Sequence, residues 1–125
     1  MRTSFAIRVV IRVLVPVCVA SEMVSCLSPT LPLPPPESPS VARGPDGDHV
    51  ELVAACGSAE SGATVVIINE NPQVAQNLKA NAAISDDCGA WNAVVYAHGN
   101  DVLNIFQVIG GEASSPTGFQ VPSAL

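Results

Sequence analysis

A run of prolines sets the first limit on this chain. Ser28 to Pro45 reads SPTLPLPPPESPSVARGP. Proline fixes φ and removes a backbone donor, so neither a helix nor a central strand can run through the stretch. It divides the sequence into an apolar, basic leader (1–27), a Pro-rich linker (28–47) and a remainder (48–125) that must supply the core. A domain of that size is marginal without staples. A segment this rich in proline buries little apolar surface, so Met1 to Gly47 is expected to pack little against the rest. Pro32 and Pro35 also satisfy P-x-x-P, the spacing read by PPII-binding modules, beside the plainer reading of a spacer.

The leader admits three readings. Met1 to Ala20 is apolar and basic, with no acidic residue before Glu22. A secretory signal would have an uninterrupted apolar run, whereas Arg8 and Arg12 leave only Val13 to Ala20. The four-residue step from Arg8 to Arg12 suits a mitochondrial presequence, but the valines disfavour helix. The third reading is a leader with no address. The two internal arginines and Pro16 argue against a membrane span.

Charge and cysteines exclude two function classes. The formal net charge is −6, and Lys79 is the only base after Arg43. So acidic a surface argues against nucleic-acid binding. Cys18, Cys26, Cys56 and Cys88 form no C-x-x-C, and with only His49 and His98 beside them a zinc site is not expected. Their even number permits two disulfides in an oxidising compartment. Their spacings match no small disulfide scaffold, which favours free thiols.

The densest pattern lies between Ala63 and Asp101. Thr64 to Ile68 is a β-branched apolar run, read as a buried strand. Asn71-Pro72 reads as a helix start, with Asn as cap and Pro at the first helical position. Val74, Leu78 and Ala82 recur every four residues as one apolar stripe. Ser85 to Gly89 is a polar loop, and Ala93 to Ala97 a second apolar run. The unit is therefore read as β-α-β, which implies an α/β fold with a parallel sheet. Beyond it, Asp101 or Asn100 caps an expected helix from Val102 to Ile109 with Val102, Phe106 and Ile109 on its apolar face. Gly110-Gly111 stops that helix.

VVIINENPQVAQNLKANA followed by VVYAHGNDV resembles the S-adenosylmethionine-dependent methyltransferases of the seven-strand class. The branch is the nicotinamide N-methyltransferase-like one, which also contains protein N-terminal and lysine methyltransferases. There the second strand ends in T-D-Y-P, a helix carries E-N-L-x-x-N, and the third strand ends in G-Y-x-W-G-N-D. The resemblance spans Val50 to Ile109 and implies a partial, Rossmann-like doubly wound parallel sheet. It also implies a cytoplasmic enzyme methylating a nitrogen on a protein or a small heterocycle. In VELVAAC, Val50-Glu51 matches the end of the family's first strand, and Leu52 to Ala55 the end of its first helix. The glycine loop between them is missing, and with it the backbone cradle for the methionine end of the cofactor. Gly118 to Val121 resembles the start of the family's fourth strand, and the later strands have no counterpart, so the chain reads as a truncated relative, inactive as it stands.

By position, Asn69 and the neighbouring Glu70 stand where the family's acidic residue binds the cofactor ribose. His98 stands where its tryptophan packs near the adenine. A plain turn at Asn69 and a surface histidine at His98 are the competing readings. Trp91 reads as core, and Asp86-Asp87 as a solvated loop. No catalytic residue is assigned, since methyl transfer mainly needs two reactants positioned. The alternative reading is a non-catalytic small secreted or interaction protein. A nicotinamide-dinucleotide oxidoreductase would need a G-x-G-x-x-G between strand and helix, and none is present.

Overall fold

Both long apolar runs of the pattern are strands, the second expected helix is a strand too, and the first keeps only one helical turn. The computed structural model describes residues 31–125. The strands are β1 (Ser40–Arg43), β2 (His49–Ala54), β3 (Thr64–Asn69), β4 (Ala80–Ile84), β5 (Trp91–Tyr96), β6 (Val102–Ile109), β7 (Glu112–Ala113) and β8 (Thr117–Gln120). The helix α1 (Gln76–Lys79) is a single turn. One sheet has the order β1-β2-β5; the other has β4-β3-β6-β7, with β8 also on β6. Every pairing between them is antiparallel. The two sheets close on one core in which Val50, Leu52 and Val95 meet Val65, Ile67, Leu103 and Ile105. This is a two-sheet β-sandwich.

The architecture overturns the α/β expectation, including the doubly wound parallel sheet. The runs expected as parallel neighbours, β3 and β5, lie in different sheets. A parallel crossover needs a dozen or more residues, usually a helix. Residues 70–79 between β3 and β4 hold only one helical turn, and they return the chain antiparallel, Thr64 opposite Ile84 and Ile68 opposite Ala80. The expected stripe Val74–Leu78–Ala82 is thus split between a turn, α1 and β4. Val102 to Ile109 is strand β6, because its true period is two: Leu103, Ile105 and Gln107 are buried while their neighbours are not. Gly110-Gly111 is no helix stop. Both glycines have positive φ (58° and 80°), as the two-residue turn of a hairpin requires, and β7 folds back onto β6. Val50 to Ala55 is not a strand end joined to a helix end either, since β2 runs through it.

The proline stretch was expected to stay apart. Instead its 32–43 part lies on the sandwich, and residues Pro32–Leu125 form one compact unit. Pro36 and Pro39 are buried. The side-chain amide of Gln107, itself 1% exposed, donates to the Pro34 carbonyl (2.6 Å) and accepts from the Glu60 N–H (2.7 Å). Glu37 N–H donates to the Ser58 carbonyl, and the Thr117 hydroxyl to that of Pro36. β1 then pairs with β2 as an edge strand, the one strand position that proline tolerates nearby. The leader lies outside the described residues.

Two of the cysteines are not free thiols: Cys56 and Cys88 form a disulfide across a sequence separation of 32. β2 and β5 pair with Ala54 opposite Trp91, which brings the residues just after β2 beside those just before β5. Gly57 N–H donates to the Cys88 carbonyl and Ala59 N–H to that of Gly89. Gly89 has φ of 84°, and a Cβ there would collide with the Ala59 carbonyl oxygen, so only glycine fits. Cys18 and Cys26 lie outside the described residues. Among the described residues no helix is long and apolar enough to cross a membrane.

Candidate functional site

The residues singled out for cofactor binding gather at the opposite end from the disulfide. Asn69 is the last residue of β3 and is 2% exposed. Its side-chain amide donates to Asp101 Oδ2 (3.0 Å) and to the Tyr96 carbonyl (3.0 Å), and its Oδ1 accepts from the Asn71 N–H (2.9 Å). Asp101 Oδ2 also accepts from the His98 backbone N–H (2.9 Å), and Asp101 Oδ1 from the Asn71 amide (2.8 Å). Burial pushes the Asp101 carboxyl up. The bonds from Asn69, His98 and Asn71 and the nearby His98 ring outweigh it, so the group sits below the ordinary carboxylate value. Asn69 therefore has its polar atoms committed to holding two loops together, and a ribose would have to displace those bonds. Asn71 does cap locally, its Oδ1 accepting from the Gln73 N–H, but the residues after it form a turn rather than a helix.

Glu70 does not join this network. It is exposed, and its carboxylate accepts from Asn104 on β6 (3.0 Å). His98 is exposed, and its ring is engaged on the three-stranded sheet side. Its Nε2 lies 2.9 Å from Asp48 Oδ1, and it meets the Tyr96 ring edge to face with centroids 5.1 Å apart. His49 meets the same Tyr96 ring at 5.6 Å, and its Nδ1 lies 2.8 Å from Asp46 Oδ1. The bond from His49 and the Asp48 N–H hold the Asp46 carboxyl below its ordinary value. An open pocket of about 380 Å³ has His49, His98, Asp46 and Arg43 in its wall. Asn69 and His98 are thus brought together through Asp101, while Glu70 points to a different neighbour. Among the described residues no group of three or more His, Cys, Asp or Glu is placed to hold a metal ion. Trp91 is core, 4% exposed, with its indole N–H unpaired among the described residues.

A second surface, which the sequence reading missed, is the outer face of the five-stranded sheet. The register puts Val66 opposite Ala82 on one side and Phe106 on the other, with Ile68 beside Ala80 and Asn104, and Thr64 beside Ile84 and Val108. Val102 and Asn104 lie opposite Gln120 and Gly118 on β8. All of these outward positions are uncharged, and the polar ones are Thr64, Asn104 and Gln120. Ile84 is 75% exposed and Val102 is 44% exposed; Val66, Ile68, Phe106 and Val108 are half-buried. The signal was present as alternate apolar residues on the solvent side of a period-two reading. A helical reading of 102–109 kept Val102 and Phe106 on one face but grouped them with Ile109 rather than with Asn104 and Val108. No family model, curated protein or solved structure matches this chain.

Proposed function

We propose that this chain is a small, non-catalytic interaction module of an oxidising compartment, and that its working surface is the outer face of the five-stranded sheet. One observation carries the reading: a four-strand-wide face whose strand positions carry no charged side chain, only Glu70 reaching Asn104 from the loop after β3, on a protein of net charge −6. A soluble sandwich ordinarily alternates apolar-in and polar-out. Exposed contiguous apolar patches of a few hundred Å² commonly mark interaction sites. The Cys56–Cys88 bridge supports the compartment, because structural disulfides persist where thiols are not kept reduced. Methyl transfer with S-adenosylmethionine is not carried forward. It stood on a strand–helix–strand crossover, which an antiparallel turn replaces here, and on an Asn69 whose bonds are already committed.

Hydroxyl-radical footprinting of the dilute, monomeric full chain tests the reading. Phe106, Ile84 and Val102 should label readily, while Leu52 and Ile105 stay protected. Protection of the three surface residues in the monomer would mean that the chain covers its own face, and would end the proposal.

A further inference from the structure

We propose that the occupant of this face is a second copy of the chain, joined face to face as an isologous two-fold dimer. The inference rests on the reading of the face as an interaction surface and names its partner. Three features of the face favour a copy of itself.

The first is charge. Each copy is acidic, so two copies repel through most of their surface. The described acidic groups lie in loops, on the other sheet or at the rim of this one, as with Glu70 beside Asn104. The uncharged face is the approach along which like charges stay farthest apart. A basic partner would gain little there, because the one carboxylate that reaches the face, Glu70, is already held by Asn104.

The second is self-complementarity. An isologous contact sets a patch against itself, so every polar group must be able to pair with its own kind. Thr64, Asn104 and Gln120 each carry both a donor and an acceptor, unlike a carboxylate or an ammonium group. The rest of the face is Val, Ile, Ala and Phe, which pack against their own kind, and Gly118. Sheets pack face to face with their strands inclined by about 30°. A twisted sheet on a two-fold axis meets that geometry.

The third is size. Four strands spaced about 4.8 Å apart and roughly six residues long give a footprint on the order of 400 Å² per copy. Two corrugated faces together remove on the order of 1,000 Å² of accessible surface, which reaches the lower bound for a specific interface. Such an interface is weak, so the expected dissociation constant is micromolar. Phe106 and Val66 are directly paired on the two central strands, so they lie near any two-fold axis that uses the whole face.

Sedimentation equilibrium of the full chain, from low micromolar to submillimolar, should show the mass rising from one chain to two. Added salt should not weaken the association, since no charge pair holds it. Phe106→Glu and Phe106→Lys should each weaken it by about a hundredfold, because each buries an unpaired charge at the centre. Mixing the two variants should restore a dimer of one copy of each. Should the Phe106 variants fail to fold by circular dichroism, Val102→Glu on the 44%-exposed rim serves in their place.

A wild-type chain that stays monomeric at submillimolar concentration, with Phe106 still open to footprinting, overturns the dimer and leaves the interaction reading standing. A monomer with the face protected ends both. A dimer that survives the charged substitutions, dissolves in salt, or proves covalent on a denaturing non-reducing gel uses another surface and also overturns the proposal.

Discussion

The two sheets present outer faces of opposite kind. On the three-stranded sheet the outward positions include Ser40, Glu51, Asn92, His49 and Tyr96, and the exposed Val53 and Val94 sit among them. On the five-stranded sheet the outward positions carry no charge at all. The inner faces do not differ in this way, for both are apolar and both serve the same core. Strand alternation requires one apolar face per sheet for folding. The three-stranded sheet stops there. The second apolar face of the other sheet contributes nothing to the core and costs solubility, so its explanation lies outside folding. The sheets are also held differently. The three-stranded sheet has its β2–β5 pair locked by a disulfide at one end and by the His49–Tyr96–His98 contacts at the other. The five-stranded sheet relies on its ladder and on Gln107.

The largest expected effect breaks the first of these braces. Replacing Cys56 and Cys88 by alanine releases a 32-residue loop closure, which on the chain-entropy model is worth roughly 3–4 kcal/mol. Urea unfolding should show that loss. Hydrogen exchange should show where it falls: β2 and β5 amides losing protection while β3 and β6 keep theirs. Uniform loss over both sheets would mean that the sandwich opens as one unit and that the two are not separately braced. The next effect belongs to the other sheet. Gln107→Leu fills the same space but leaves the Pro34 carbonyl and the Glu60 N–H without partners. Stability should fall by about 2–3 kcal/mol, the cost of two buried unpaired groups. A glutamate-specific protease should then cut at Glu37 faster than it cuts the wild type, whose Glu37 N–H is bonded to the Ser58 carbonyl. Unchanged cleavage would show that the burial of Pro36 and Pro39, not Gln107, holds the segment.

Less of this was legible in the sequence than its apolar runs suggested. Thr64 to Ile68 and the run around Ala93 to Ala97 are strands, and Trp91 is core, because β-branched runs and large aromatics state their burial locally. Pairing is not local. Whether β3 meets β5 or β6 is decided by which faces close the core, and the alternation of Leu103, Ile105 and Gln107 was hidden by a buried glutamine in an apolar position. β4 reads ANAAI, and alanine favours helix over strand, so propensity pointed the wrong way until the register on β3 overrode it. Gly110-Gly111 between alternating apolar residues was a hairpin signal read as a helix stop. At the site, Asn69 ends β3 and His98 follows β5, and Asp101 accepts a bond from each. Asp101, which joins them, was taken only as a helix cap, because a carboxylate that serves two side-chain donors some thirty residues away leaves no mark on spacing. The disulfide was equally invisible, since it depends on the β2–β5 register.

A matched pair of substitutions sharpens the comparison of faces directly. Phe106→Glu and Val94→Glu each put a carboxylate on an outer face, one per sheet. Neither position belongs to the core, so each should cost no more than about 1 kcal/mol of stability in the monomer, as for ordinary surface changes. Their effect on the surface should differ. Binding of an apolar dye such as bis-ANS should fall sharply for Phe106→Glu and little for Val94→Glu. Equal loss from both would mean that the two faces are equivalent, and the contrast between the sheets would fail.

The smallest effect concerns pH, and it is expected at the end where the two sheets are tied by side chains. Asp101 is a carboxyl held below its ordinary value of 3.8 by Asn69, the His98 N–H and Asn71, against an opposing push from burial. Its folded form therefore binds a proton less readily than its unfolded form. Linkage sets the sign: the stabilisation is fully present above the unfolded value and is lost as the pH falls through the folded one. The effect is small because it is the remainder of opposing contributions. Between pH 5 and pH 3, on the scale set by ordinary carboxylates near about 3.9, the wild type should lose more stability than Asp101→Asn, which has no carboxyl to protonate there. Asp46 shares the same direction, so it must be held constant by making the comparison in an Asp46→Asn background. In that background the two pH profiles should separate only below the unfolded value and run parallel from pH 5 to pH 8. Profiles that stay parallel down to pH 3 would show that Asp101 keeps its loops together by shape rather than by charge, and that Asn at this position would serve as well.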